Sequence, residues 1–228
     1  MEAGHLLASG RAADVYDQGD GTVLRRYRSG IDVDAADEAR VMVWLAGQGF
    51  PVPGVRRAGG SDLVMDKVAG LTMLEDFERR PWRLVSHART LAGLQKQLNA
   101  LPAPAWLAGQ SGVPVGDAVL HLDLHPMNVM LTDDGPVVID WTNACRGDGW
   151  FDAALSSVVM STAELTATRQ KLAVRAFVFA FELFRGRRRT RRSIPAATIF
   201  RLADCNITET ERRRLSRLID SRRRTVGG

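Results

Sequence analysis

The sequence predicts an α+β fold of two parts: a small antiparallel-sheet lobe over residues 1–68 and a mainly helical lobe over residues 69–228. Three observations carry this reading. The first 68 residues alternate short apolar strand candidates with turn signals. Beyond Arg83, apolar residues recur at helical spacing. The stretch from His121 to Trp141 interrupts that helical part with a loop and a tight hairpin.

In order, HLLA, VYD and TVLRRYR read as strands, split by SGRAAD and QGDG. DEARVMVWLAGQG carries a helix from about Asp34 to Gln48, with Gly49 near its end and Phe-Pro-Val-Pro after it. GVRRA and LVMDKVAG flank a Gly-Gly-Ser-Asp turn and read as a strand pair. Leu84, Ala88, Leu91, Leu94 and Leu98 predict a helix from Arg83 to Ala100, followed by the Pro-rich LPAPAWLAGQSGVP and a strand-like AVLHLD. Further helices are expected over Ala163–Phe184, Ile194–Ala203 and from Glu209, the last opened by a Thr208-x-x-Glu211 capping box. RGRRRTRR, six arginines in eight residues, reads as a self-repelling flexible loop.

A chain of 228 residues with 45% apolar content can bury a sizeable core. Cys145 and Cys205 do not make a disulfide framework, so a reducing, cytoplasmic setting is expected. MEAGHLLASG has no basic start followed by an apolar run, and no stretch of about 18 apolar residues suggests a membrane span. The net charge of +5 conceals an asymmetry: residues 1–168 hold 14 Lys+Arg against 21 Asp+Glu, whereas residues 169–228 hold 17 against 5. Such a tail attracts anions, although solvated helix faces would look the same.

The chemistry concentrates in HLDLHPMNVMLTDDGPVVIDW. VML and VVI read as two strands joined at Asp133–Pro136, so the hairpin folds Asp140 back toward Asn128. Two oxygen ligands and a third carboxylate, Asp123, are thereby drawn toward one volume, and hard oxygen donors that leave room for water and phosphate suit magnesium. A carboxylate five residues before an Asn ligand, with a metal-binding Asp further on, is the kinase catalytic-loop arrangement.

This wording resembles the aminoglycoside phosphotransferase family of small-molecule kinases, whose fold is protein-kinase-like. The resemblance rests on His-x-Asp-Leu-His-Pro-x-Asn and on Asp-Trp where protein kinases have Asp-Phe-Gly. It implies that Asp123 is the catalytic base and that Asn128 and Asp140 hold magnesium against the phosphates of ATP. Arg25 stands where a kinase has its phosphate-binding Lys, with Arg26 and Arg28 as competitors, and Glu38 stands where a helix glutamate pairs with that cation. Ser9 and Gly10, in SGRAAD, occupy the place of the nucleotide-covering loop, where small residues and backbone N–H groups suit phosphate; a plain hairpin turn would read alike. Asp66 and Val68 fall at the expected adenine-binding connection, with Met65 lining the pocket. Asp152, in Arg-Gly-Asp-x-x-x-Asp-x-Ala, is expected to bond backbone N–H groups near the catalytic loop.

Leu122 replaces the Arg of a protein-kinase loop and no Ala-Pro-Glu follows Asp140, which favours a small-molecule acceptor. The basic carboxyl-terminal region disfavours a polycation, so a neutral or anionic hydroxyl acceptor is expected rather than an aminoglycoside. Two alternatives stand beside this kinase reading. One is a nucleotide-binding pseudokinase; the other is a module binding nucleic acid or an acidic partner through its arginines. The oligomeric state is unknown from the sequence.

Overall fold

The computed structural model describes residues 4–10, 12–30, 34–205 and 207–226, with side chains in the last helix described through Leu218. In chain order the elements are β1 (His5–Ser9), β2 (Ala13–Asp17), β3 (Thr22–Tyr27), α1 (Ala35–Gly47), β4 (Val55–Gly59), β5 (Asp62–Asp66) and β6 (Leu71–Thr72). There follow α2 (Met73–Arg79), α3 (Leu84–Asn99), β7 (Ala118–Leu120), β8 (Val129–Thr132), β9 (Gly135–Val138) and β10 (Cys145–Gly147). Four helices complete the chain: α4 (Gly149–Thr162), α5 (Thr168–Arg185), α6 (Arg187–Ala203) and α7 (Glu209–Val226). The chain divides into two compact units, residues 1–72 with 128–144, and residues 73–127 with 145–228.

The first unit is an antiparallel sheet in the order β1-β2-β3-β5-β4 and a smaller one in the order β6-β8-β9. Leu24, Leu63, Met42 and Leu45 are fully buried and join the larger sheet to α1. The ends of α1 follow their sequence signals. Asp34 caps the start by accepting the Ala36 N–H at 2.9 Å. At the other end Gly49 is left-handed, its N–H reaches Ala46 O and the Phe50 N–H reaches Leu45 O, both at 3.0 Å. That pair is a Schellman motif, and only a residue tolerant of positive φ fits its Gly49 position. Phe50 then meets the Trp141 ring edge-on, with centroids 5.6 Å apart.

In the second unit α3 packs on α5 and α4 on α6. Its core joins Leu120 and Leu122 to Phe151, Leu155, Val158, Ile194 and Leu215. The strands β7 and β10 pair antiparallel. Thr208 caps α7 by accepting the Glu211 N–H at 3.0 Å, as its capping box predicts.

Three expectations change. The helix expected over Ala163–Phe184 begins later, as α5 at Thr168, after α4 has ended at Thr162. The helix expected from Ile194 begins at Arg187 and carries Pro195 inside it. RGRRRTRR is therefore no flexible loop: Gly186, left-handed at φ 119°, is the single hinge residue between two helices. Repulsion among the arginines is offset because each of several finds a partner. Arg185 stacks on Trp150, Arg187 on Phe179, Arg189 on Trp150, and Arg191 bonds the buried Glu182 at 2.7 Å.

No described helix is long and apolar enough to cross a membrane.

Candidate functional site

In the first unit the polar centre is built on β3, α1 and the end of the β8–β9 hairpin. Arg25 and Tyr27, two residues apart on β3, share a face of the sheet, and both are buried. Arg25 Nη2 donates to Asp140 Oδ1 at 2.6 Å and to Thr142 Oγ1 at 2.8 Å, while its Nε lies 3.6 Å from Glu38 Oε2. The Tyr27 hydroxyl donates to Glu38 Oε2 and lies 3.0 Å from Thr142 Oγ1. Burial and the Glu38 charge hold the Tyr27 phenol protonated well above its ordinary range. Arg26 and Arg28, the competitors for the cationic role, are spent elsewhere, on Asp62 and on Asp14.

The hairpin puts Asn128 and Asp140 at one end. Val129 pairs with Val138, and the Asn128 carbonyl accepts the Ile139 N–H at 3.0 Å, so Asp140 lies one residue beyond the ladder. Asp140 is left-handed, at φ 66°. A non-glycine residue there costs about 1–3 kcal/mol and persists only where its surroundings enforce it. Glu38 Oε1 enforces it by accepting the Trp141 N–H at 2.9 Å. The hydrogen bonds that Asp140 accepts from Arg25 and Thr142 both fall on Oδ1.

In the second unit the loop after β7 is held the same way. Leu122 is buried and left-handed, at φ 64°. Asp152, from the first turn of α4 and fully buried, accepts the Leu122 N–H at 2.9 Å and the His121 N–H at 3.4 Å. Asn99 Nδ2 bonds the same carboxylate at 3.0 Å, and Arg185 bonds Asn99 Oδ1 at 2.8 Å. The backbone so fixed presents Asp123. Its N–H donates to His121 Nδ1 at 3.2 Å, and its Oδ1 lies 3.5 Å from His125 Nε2. His125 Nδ1 accepts the Met127 N–H, which leaves the proton of a neutral ring on Nε2, toward Asp123. Burial pushes the Asp123 carboxyl up, but the His125 hydrogen bond and the charges of His125, His121 and Arg201 outweigh it and hold it below the usual range.

The remaining sequence candidates have local partners within the first unit. The Gly10 N–H donates to Ala13 O at 2.9 Å and Ser9 Oγ to Asp14 Oδ1 at 2.6 Å, closing the β1–β2 hairpin. Arg11, within SGRAAD, lies outside the described residues. The Asp66 N–H donates to Gly54 O at 2.8 Å and its carboxylate receives Arg56, while Val68 follows the end of β5. Met65 is buried in the sheet. Tyr27 and Thr142 are the members that sequence reading missed. Tyr27 had a signal, because strand alternation puts it beside Arg25; Thr142 had none.

Among the described residues no three His, Cys, Asp or Glu side chains gather as a metal site. Asn128 and Asp140 nevertheless fit magnesium by donor chemistry: both offer hard oxygen, and a cation that keeps several waters needs only one or two carboxylates.

A family model, the phosphotransferase enzyme family, matches residues 4–112 and 64–192. The chain belongs to that family. It is a small-molecule phosphotransferase of protein-kinase-like fold. The fold is similar to a choline/ethanolamine kinase family protein from Mesorhizobium loti, at TM-score 0.61 and 18% identity over 96% of this chain and 88% of that one. It is similar also to an ADP-bound aminoglycoside phosphotransferase, at TM-score 0.62 and 10% identity over 87% and 82%. An ethanolamine kinase from Plasmodium vivax matches at TM-score 0.60 and 12% identity over 92% and 79%. No curated protein matches the sequence.

Proposed function

We propose that the chain transfers the γ-phosphate of ATP to a hydroxyl of a small molecule that is neutral or anionic. The observation that carries this reading is the Asp123 loop, whose carboxyl is held ionised and whose backbone is pinned at two N–H groups by Asp152. An ionised carboxylate in a fixed loop is suited to orient an acceptor hydroxyl and take its proton. Asn128 and Asp140 would hold magnesium, which when bound neutralises charge on the phosphates. Arg25 would meet the inner phosphates, while Glu38 and Tyr27 keep its neighbourhood in register. Adenine would meet the backbone of Asp66 and Val68. Catalysis on this account is positioning and electrostatics.

The acceptor class follows from charge. Arg201 places a fixed positive charge within reach of Asp123, and residues 169–228 carry 17 Lys+Arg against 5 Asp+Glu. A polycation such as an aminoglycoside is disfavoured there. A second reading, a nucleotide-binding pseudokinase, draws support from the Gly10 N–H being used within its own hairpin and from Arg25 being bonded to Asp140. Nucleic-acid binding through RGRRRTRR is weakened because four of those arginines are engaged by Trp150, Phe179 and Glu182.

The test is phosphotransfer from magnesium ATP across a panel of hydroxylated metabolites. The Asp123→Ala variant should lose about 100-fold or more in turnover while keeping nucleotide affinity. Full turnover in that variant defeats the mechanism. Magnesium-dependent ATP binding with no transfer to any acceptor favours the pseudokinase, and reduced aminoglycoside susceptibility in expressing cells overturns the acceptor class.

A further inference from the structure

We propose that a cavity at the carboxyl end of α4, walled by α5 and α7, binds a small molecule bearing two or more phosphate groups, at a site separate from the Asp123 loop. The cavity has a volume of about 550 Å³, within the range of ligand pockets. Four cations line it, Lys171, Arg175, Arg214 and Arg217, and among the described residues no carboxylate does.

Several other arginines of this unit are paired with acids: Arg187 and Arg191 of α6 with Glu182, Arg201 of α6 with Glu211 and Asp204, and Arg213 of α7 with Glu209. Lys171, Arg175 and Arg217 make no ion pair among the described residues, although they share one small space. Glu164, the acid closest in sequence to the cavity wall, is engaged by the Thr208 hydroxyl. Gathering like charges costs free energy, and a bound anion would relieve it. Arg214 is held in place by hydrogen bonds to the Thr162 and Ala163 carbonyls that end α4, so part of the site is already organised. Guanidinium forks match phosphate oxygens in pairs, which favours phosphate over a compact monovalent anion. Leu165, Val174 and Leu218 supply an apolar wall for the rest of a small ligand.

The cavity is remote from the transfer loop within the same unit. Asp152, which pins that loop, lies ten residues before Thr162 on α4, about 15 Å along the helix axis. Occupancy would thus bear on the far end of the helix that carries Asp152.

The experiment titrates the full-length protein with inorganic tripolyphosphate by calorimetry, in magnesium-free buffer with saturating adenosine. Binding below about 1 mM is expected. It should weaken at least about tenfold in the Arg175→Gln/Arg217→Gln double variant, since each lost charge-assisted contact is worth about that much. If the double variant does not fold, Lys171→Gln is read instead. Absence of binding, or equal affinity in the variants, overturns the proposal. Binding confined to an oligonucleotide overturns it as well, because the cavity would then be part of an extended surface. ATP and tripolyphosphate bound equally would assign the site to phosphate groups alone. Tighter ATP binding, lost in the same variants, would assign it to a nucleotide, and either result upholds the site. No turnover is measured, so the outcome is independent of the transfer reaction.

Discussion

Glu38, on α1, accepts the backbone N–H of Trp141 at 2.9 Å, across 103 residues of sequence. The bond fixes the peptide that follows Asp140, and Asp140 is one of two described non-glycine residues with positive φ. The other is Leu122, whose own N–H is held by Asp152. Each compact unit therefore spends one buried helix carboxylate on a strained turn. Glu38 has further duties, since Tyr27 bonds its Oε2 and Arg25 lies 3.6 Å from the same atom. Glu38 thus serves as a backbone anchor as well as a neighbour of the strand cation.

Glu38→Ala should lower stability by about 3 kcal/mol, because it leaves the Trp141 N–H and Tyr27 hydroxyl unmatched and the buried Arg25 charge less compensated. Glu38→Gln should cost clearly less, since its carbonyl oxygen still accepts the Trp141 N–H. Urea unfolding of both variants checks this. Equal midpoints for the two would mean that the backbone anchor is unimportant.

Arg185 supports the Asp123 loop at second hand, through Asn99 to Asp152 to Leu122. Arg185→Met keeps aliphatic packing on Trp150 but loses hydrogen bonds to Asn99 and to the Gly149 carbonyl. A loss of about 1–3 kcal/mol is expected. The specific readout is amide exchange: the Leu122 N–H should exchange faster in the variant. Unchanged protection at Leu122 would break the proposed chain of contacts.

Local signals explain why so much of this arrangement was legible. Asp34, Gly49 and the Gly135 hairpin each fix an element by short-range chemistry, and those elements lie within a residue or two of the reading. Arg25, Glu38 and Asp140 were singled out by the family resemblance, and the structure brings the three side chains together. The arginine-rich stretch was misread because its like charges are adjacent in sequence, whereas Trp150, Phe179 and Glu182, which absorb them, are revealed only by packing. Pro195, a good opening residue for a helix, concealed that α6 begins at Arg187. Thr142 entered unseen because a hydroxyl outside any strand leaves no periodic trace, whereas strand alternation had placed Tyr27 on the face of Arg25.

The two cysteines should differ sharply toward a thiol reagent. Cys145 is buried, and burial together with the Asp152 charge pushes its thiol up to about 12. At pH 8 roughly one part in ten thousand would then be thiolate. Cys205 is exposed. One equivalent should react promptly with a disulfide reagent in the native protein, and the second only in denaturant. Prompt reaction of both would mean that Cys145 is open to solvent.

Asp76, on α2, sets an expectation for acid stability. Burial alone would raise its carboxyl, but the His87 hydrogen bond at 2.8 Å and the charges of Arg80 and Arg83 hold it below the usual range. A carboxyl depressed in the folded state stabilises above its unfolded pKa, about 3.9, and that contribution is lost as pH falls through the folded value. Asp76→Asn should therefore cost about 2 kcal/mol near pH 7. The gap between wild type and variant should stay level down to about pH 5 and narrow below about pH 4. Thermal unfolding of both proteins across that range measures it. A gap that widens on acidification would show that the Asp76 carboxylate is destabilised, not stabilised, by its buried partners.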